Sequence, residues 1–289
     1  MYTVSAKEIL EWKKKQLNYG GEEEALFLLL DTVAGLSKKD FNRHKINSEQ
    51  TICLKKSVDD ITRLWIEHID TSRPIQQICG SAFWRDLKIR VTTDVLIPRP
   101  ETELIVDIVN DLFRFSGKEL DFVDLGTGSG IIAISLAQYN PTWRGFATEV
   151  SEKALEIAKY NCMKLHKSSN LKFSLGDWWR AFEGFSGKFD LVVSNPPYIP
   201  SKVYENLSSE IKNYEPMLAL NGGSDGLKHI KNIISGAPRF LKNKGWLILE
   251  NHFDQGEFVK NIFIRNGFHS VKVINDLAGI GRFTIGRYK

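Results

Sequence analysis

The run Phe122-Val123-Asp124-Leu125-Gly126-Thr127-Gly128-Ser129-Gly130 limits the possible folds of this chain more than any other segment. A short extended run passes straight into glycines at every second position, and an apolar helical pattern, about Ile131–Gln138, begins at once after it. A strand that turns through glycine into a helix is the opening of a β-α-β unit, and the rhythm from Glu101 onward continues it. The pattern predicts a helix at about Glu101–Phe115, strands at Gly145–Glu149, Leu171–Leu175, Phe189–Ser194 and Trp246–Glu250, and helices at about Ser151–Leu165, Leu227–Leu241 and Gln255–Asn266. Two closing strands lie near Val271–Ile274 and Phe283–Arg287. Alternation of this kind predicts an α/β fold, a parallel-rich sheet covered by helices on both faces.

Glycines let the backbone turn tightly and approach a ligand, and the N–H groups that open the following helix favour a negative group. Such a loop suits a dinucleotide, a nucleotide or S-adenosylmethionine, and also occurs as a plain turn. The spacing here is GxGxG, with Ile131 where the last glycine of GxGxxG would stand, and no Gly-Lys-Ser/Thr ending marks a nucleoside triphosphate site. About twenty residues further on, Glu149 ends the second strand, where a carboxylate can accept the ribose hydroxyls of an adenosine-containing cofactor. Asp177 and Trp178 follow the third strand at the same edge, placed for the amine and the flat face of adenine. Trp179 follows directly, so one of the two indoles faces inward.

The sharpest chemistry is at Asn195-Pro196-Pro197-Tyr198, after the buried strand Asp190-Leu191-Val192-Val193-Ser194. The carboxyl ends of strands are where open α/β sheets bind ligands. The prolines fix φ and donate no backbone hydrogen bond, so the segment presents acceptors: the Asn195 side-chain oxygen and the Pro196 carbonyl. Two acceptors suit an NH2 group on an sp² carbon. Holding its hydrogens aims the lone pair at a methyl donor and favours the positive charge that builds on nitrogen. Tyr198 can cover the flat face of such an acceptor.

The remaining chain sets bounds. Residues 1–72 read as a small helical domain with no strand alternation: Ser5 caps a helix carrying Ile9 and Trp12, Glu22 to Leu36 forms a second, and Val58 to Ile69 another. Residues 73–97 hold two extended runs about Asp86, a connecting β-hairpin, and 98–289 form the α/β domain. The cysteines Cys53, Cys79 and Cys162 are odd in number and widely spaced, fitting neither disulfides nor zinc. His44, His68, His166, His229, His252 and His269 are scattered, so no metal site is expected. No apolar run reaches the roughly 18 residues of a membrane span, and a cytoplasmic location is expected. The net charge of +4 is too mild to imply nucleic acid, and the basic clusters Lys13-Lys14-Lys15, Lys38-Lys39 and Arg43-His44-Lys45 read as solvated helix faces.

Taken together, Leu96-Ile97-Pro98-Arg99-Pro100-Glu101-Thr102-Glu103, the glycine loop, Ser194–Pro200, Tyr214–Leu227 and Asp276–Arg287 resemble the peptide chain release factor glutamine N5-methyltransferases over essentially the whole chain. The resemblance implies a class I methyltransferase fold, Rossmann-like with a mostly parallel seven-stranded sheet, and a helical N-terminal domain that recognises substrate. It implies S-adenosyl-L-methionine as cofactor, S-adenosyl-L-homocysteine as product, and class 1 translation release factors as protein partner, modified at the glutamine of their Gly-Gly-Gln loop. Gly126, Thr127, Gly128, Ser129 and Gly130 match the cofactor loop, Glu149 stands where an Asp is usual, and Trp178 matches a cofactor-contacting aromatic. Asn195 to Tyr198 match the substrate tetrapeptide, with Asn195, Pro196 and Tyr198 as the catalytic set and Asn195 also near cofactor. Gln77, where an aromatic is expected, and Asn251-His252, where a glycine-containing pair is usual, depart from the pattern. A monomer acting on protein, without direct nucleic-acid contact, is expected.

The tetrapeptide alone does not choose its acceptor. It equally suits the N6 amine of adenine in DNA or RNA, which would require base flipping and a phosphate-binding surface. Glutamine methylation of a large-subunit ribosomal protein is a further alternative, against which the Arg99–Glu103 segment argues. A purely binding adaptor would have no need of the intact glycine loop or Asn195.

Overall fold

Ser5 begins the first helix as the spacing predicts. Its hydroxyl accepts the Glu8 N–H while the Glu8 carboxylate accepts the Ser5 N–H, a reciprocal cap on the helix Ala6–Tyr19. The structure, a computed structural model, describes residues 1–44, 50–114, 116, 119–165, 170–185 and 187–289. The expectations that touch Lys45, Phe115 and His166 lie outside the described residues. The chain divides into two compact units, Met1–Ala82 with Ser209–Tyr214, and Phe83–Ser208 with Glu215–Lys289.

The first unit is built on helices Ala6–Tyr19, Glu23–Leu29, Lys38–His44, Val58–Thr71 and Ile75–Cys79. Ile9, Leu26, Leu29, Phe41, Ile61 and Trp65 form its core with no exposure. Two strands that the sequence does not announce join them: β1 (Tyr2–Ser5) pairs antiparallel with β2 (Thr51–Leu54). Each has four residues, too few for a period of two to stand out, although β2 alternates exposed and buried. The run from Glu22 to Leu36 is not one helix. It widens after Leu29 into a π-type turn, Leu30–Ala34, and stops at Gly35, whose φ of 73° suits glycine. Gln77 is buried, and its side-chain nitrogen donates to the Tyr214 carbonyl. An amide that anchors the returning segment thus stands where an aromatic was expected.

The hairpin pairs β3 (Ser81–Trp84) with β4 (Leu87–Arg90), turning at Arg85 with φ 53°. Beyond it run β5 (Asp121–Leu125), β6 (Arg144–Glu149), β7 (Leu171–Leu175), β8 (Phe189–Ser194), β9 (Leu241–Glu250), β10 (Phe268–Asn275) and β11 (Gly281–Tyr288). They form one seven-stranded sheet in the order β10-β11-β9-β8-β5-β6-β7. The five strands from β9 to β7 are mutually parallel, and β11 runs against both its neighbours. This is the class I methyltransferase sheet. Val123, Val192, Leu247 and Leu249 are buried completely, as near-continuous apolar strands covered on both faces must be. Trp179 is the inward indole: it stacks on Phe240 at 4.9 Å and donates to the Ile233 carbonyl. No helix among the described residues is long and apolar enough to cross a membrane.

Candidate active site

The strand order reverses at β5: the chain steps outward to β6 and β7, then returns to lay β8 on the other side of β5. A crevice opens at such a switch point beyond the carboxyl ends of the strands. In-register pairing sets Asp124 opposite Val193, and the Ser194 hydroxyl then donates to the Leu125 carbonyl at 2.6 Å. The glycine loop leaves β5 and the tetrapeptide leaves β8 side by side, although about seventy residues separate them along the chain.

The loop is held from below and from the side. The Thr127 hydroxyl donates to Asp124 at 2.6 Å, and the Thr127 N–H to the Thr148 carbonyl at 2.9 Å. Asp124 is wholly buried, which pushes its carboxyl up to about 7 against the opposing pull of the Thr127 hydroxyl. Glu149 takes the Gly128 N–H on Oε2 at 2.9 Å, and the N–H groups of Val150 and Ser151 on Oε1 at 2.9 and 3.0 Å. Oε1 is therefore filled, and Oε2 is the oxygen with acceptor capacity left. Asn161, on the helix Glu152–Leu165, donates to the carbonyls of Ser129 and Arg90 and accepts the Arg90 N–H at 2.8 Å, which joins the loop to β4. Trp178 adopts a left-handed backbone, φ 49°, that carries its ring over Gly126. A β-carbon on Gly126 would lie 2.9 Å from that ring, so only glycine leaves the indole there.

On the acceptor side, one buried network holds the tetrapeptide. Asn195 Nδ2 donates to the Thr102 hydroxyl at 3.2 Å, and that hydroxyl donates to Glu250 Oε2 at 2.8 Å. The Tyr198 hydroxyl donates to Glu250 Oε1 at 3.1 Å. Glu250, at the end of β9, is completely buried, and burial pushes its carboxyl up to about 7. Burial and the neighbouring Glu250 charge likewise raise the Tyr198 phenol far above its ordinary range. From behind, Gln255 donates to the Tyr198 carbonyl at 3.0 Å. Gly226, with φ 72°, lies so near that a β-carbon would meet the same oxygen at 2.3 Å. The Asn221–Gly226 turn is thus a glycine-lined backstop for the tetrapeptide. Arg99 reaches the buried Glu215 that opens this segment, and Trp84 donates to the Arg99 carbonyl.

Together these elements enclose a cavity of about 320 Å³. Gly126, Thr127, Gly128, Ser129, Glu149, Asp177, Trp178, Asn195 and Pro197 line it. Gly130, Pro196 and Tyr198 do not: Gly130 closes the loop by donating to the Thr127 carbonyl, Pro196 is buried, and Tyr198 turns its hydroxyl to Glu250. His229 also lines the cavity, its ring 5.5 Å from that of Trp178, and burial lowers its proton affinity. Sequence reasoning passed over Thr102, Asn161, Glu215, His229 and Glu250. A signal existed for Glu250, a carboxylate ending an apolar strand in the same manner as Glu149, and for Asn161, an amide on the apolar face of its helix.

Asn251, the second departure from the family pattern, is fully used. It donates to the His252 and Gly281 carbonyls and accepts the Thr284 hydroxyl, knitting the end of β9 to β11.

Comparison with known proteins agrees with this architecture. The family model described as "Methyltransferase small domain" matches residues 102–223. The release factor glutamine methyltransferase of Prochlorococcus marinus is 39% identical over 280 residues, which is 96% of each chain. That of Synechocystis sp. is 35% identical over 292 residues, covering 98% of this chain and 97% of its own. Among solved structures, a methyltransferase from Pyrococcus furiosus superposes with a TM-score of 0.54 at 22% identity, over 76% of this chain and 98% of that one, a likeness of fold. On the strength of its near full-length relatives, the chain belongs to the release factor glutamine methyltransferase family.

Proposed function

We propose that this protein transfers a methyl group from S-adenosyl-L-methionine to the side-chain amide nitrogen, N5, of the glutamine in the Gly-Gly-Gln segment of class 1 peptide chain release factors. The observation that carries the chemistry is the commitment of the Asn195 amide nitrogen to Thr102 beside the glycine loop, which leaves the Asn195 oxygen as a fixed acceptor.

The cavity suits the cofactor. Asp94, Glu149 and Asp177 line it, and no Lys or Arg among the described residues does, which favours a cationic ligand over a polyphosphate. Gly126 to Ser129, in the loop that Gly130 closes, would hold its amino-acid end, Glu149 Oε2 the ribose, Trp178 the flat face of adenine and Asp177 the purine amine. When bound, S-adenosyl-L-methionine supplies an electrophilic methyl on a sulfonium and departs as S-adenosyl-L-homocysteine.

Asn195 Oδ1 and the Pro196 carbonyl accept the two hydrogens of the glutamine NH2. An amide nitrogen is a poor nucleophile because its lone pair is delocalised. Fixing both hydrogens aims that lone pair and places partial negative charge where positive charge develops. Pro196 and Pro197 offer no competing N–H, and the Tyr198 ring covers the flat face of the amide and excludes water. Residues 1–72 serve to recognise the release factor, with 73–97 as the connection to the catalytic domain, 98–289. The protein acts as a cytoplasmic monomer in translation termination.

A methylation assay with labelled cofactor tests this reading. It offers a Gly-Gly-Gln release factor, its Gln→Ala variant, and single-stranded and duplex DNA. Label is expected on the intact release factor alone, and label confined to DNA would overturn the reading.

A further inference from the structure

The hydroxyl of Thr102 sits between two groups whose donor and acceptor roles are not free. An ionised carboxylate only accepts, so the 2.8 Å contact with Glu250 Oε2 takes the single hydrogen of Thr102. The 3.2 Å contact with Asn195 must then be filled by a donor from Asn195, and only its NH2 qualifies. Either way round, an amide has nearly the same shape, and packing alone does not distinguish its two ends. The charge on Glu250 makes the distinction, through one intervening hydroxyl.

We propose that Thr102 and Glu250 form a positioning pair that sets the orientation of the Asn195 amide, so that its oxygen rather than its nitrogen meets the acceptor nitrogen. This rests on the reading of Asn195 as the acceptor-binding residue. A reversed Asn195 would present N–H donors to the glutamine NH2, donor against donor, and the lone pair would be drawn to Asn195 instead of to the methyl group. The same carboxylate takes the Tyr198 hydroxyl on its other oxygen, so one buried charge orients two of the four residues of the tetrapeptide.

The surroundings of Glu250 pull its charge both ways: the hydroxyls of Thr102 and Tyr198 favour it, and burial outweighs them. Arg282, paired with Asp276 at 3.1 Å and 4.0 Å from Glu101, favours the ionised form, whereas burial and the Glu101 carboxylate oppose it. The charged groups that bear on it are thus Arg282 and Glu101, beside the neutral phenol of Tyr198. A Glu250 protonated on Oε2 would donate to Thr102, which frees the Thr102 hydrogen and removes the preference for one amide orientation.

The test compares Thr102→Val, Thr102→Ser, Glu250→Gln and Asn195→Ala in the full chain, with a Gly-Gly-Gln release factor as acceptor. Thr102→Val should lower kcat about ten- to hundredfold while the cofactor Kd stays within about twofold. Thr102→Ser, which restores the hydroxyl, should recover most of that loss. In the unaltered protein kcat should rise with pH through about 7, and Glu250→Gln should flatten that limb. Unchanged kcat in Thr102→Val, failure of serine to rescue it, or an unaltered pH limb in Glu250→Gln would each overturn the proposal. Turnover by Asn195→Ala would instead sink the underlying assignment of Asn195, so the two failures are distinguishable.

Discussion

One guanidinium nitrogen of Arg99 lies 2.7 and 2.8 Å from the two carboxylate oxygens of Glu215, 116 residues further along the chain. Glu215 is buried and Arg99 is about one-third exposed. The pair fastens the Pro98–Glu103 segment, which carries Thr102, to the Glu215–Gly226 segment, which backs Tyr198. Both sides of the tetrapeptide are thereby tied together.

Arg99→Met should therefore destabilise the protein by about 1 to 3 kcal/mol, because it takes a charge-assisted partner from a buried carboxylate. Replacing both residues, as Arg99→Met with Glu215→Leu, should regain most of that loss. Urea unfolding of the three proteins checks it, and a double variant no more stable than the single one would show that the ion pair is not the cause.

Asn195→Ala should abolish methyl transfer while cofactor binding weakens only several-fold, since the loop and Glu149 remain intact. Single-turnover assays alongside calorimetric titration of cofactor separate the two effects. Near-normal turnover is the outcome incompatible with the mechanism.

Asn161→Leu removes both donors and the acceptor that join Ser129 to Arg90. At about 1 to 3 kcal/mol for each stranded buried group, the loss should be on the order of 3 kcal/mol. Because Ser129 belongs to the glycine loop, cofactor affinity should fall too. A variant as stable as the parent would mean that water replaces the amide without loss.

Asp124 and Glu250 are both raised to about 7, above their ordinary carboxylate values. The folded state then holds more protons than the unfolded chain between about pH 4 and 7, so stability should fall as pH rises through that window and level off above it. The combined effect is on the order of a few kcal/mol. Asp124→Asn, compared with its parent by urea unfolding at pH 5 and pH 8, should show a shallower decline, and parallel declines would exclude Asp124 as a source.

The pieces of the site that the sequence made legible are those whose residue types are costly anywhere else. Three glycines after a strand, and an asparagine with two prolines and a tyrosine after another, have few structural excuses. A carboxylate ending a buried strand drew notice at Glu149 because the glycine loop stood at the right distance before it. The same signal at Glu250 had no such companion in the sequence, since its partner Thr102 lies 148 residues away and is joined to it only by strand order. Asn161 lies on the apolar face of its helix, but its partners Ser129 and Arg90 are brought to it only by the fold. The strands β1 and β2 escaped notice because four residues hold too little of any period. At Glu149 the sequence points to a carboxylate for ribose hydroxyls, and only the fold shows the three backbone N–H groups that it also accepts.

The pairing of β5 with β8 has one more consequence. The glycine loop and the tetrapeptide leave neighbouring strands of a single hydrogen-bonded ladder, which stand about 4.8 Å apart. On the proposed reading, the gap between methyl donor and acceptor is then anchored to the strand spacing of the sheet, because both segments start from it. A molecule joining an adenosine to a glutamine-like amide through a rigid spacer would meet a template of fixed gauge. Its best spacer length would be set by geometry that surface mutations in the protein cannot retune.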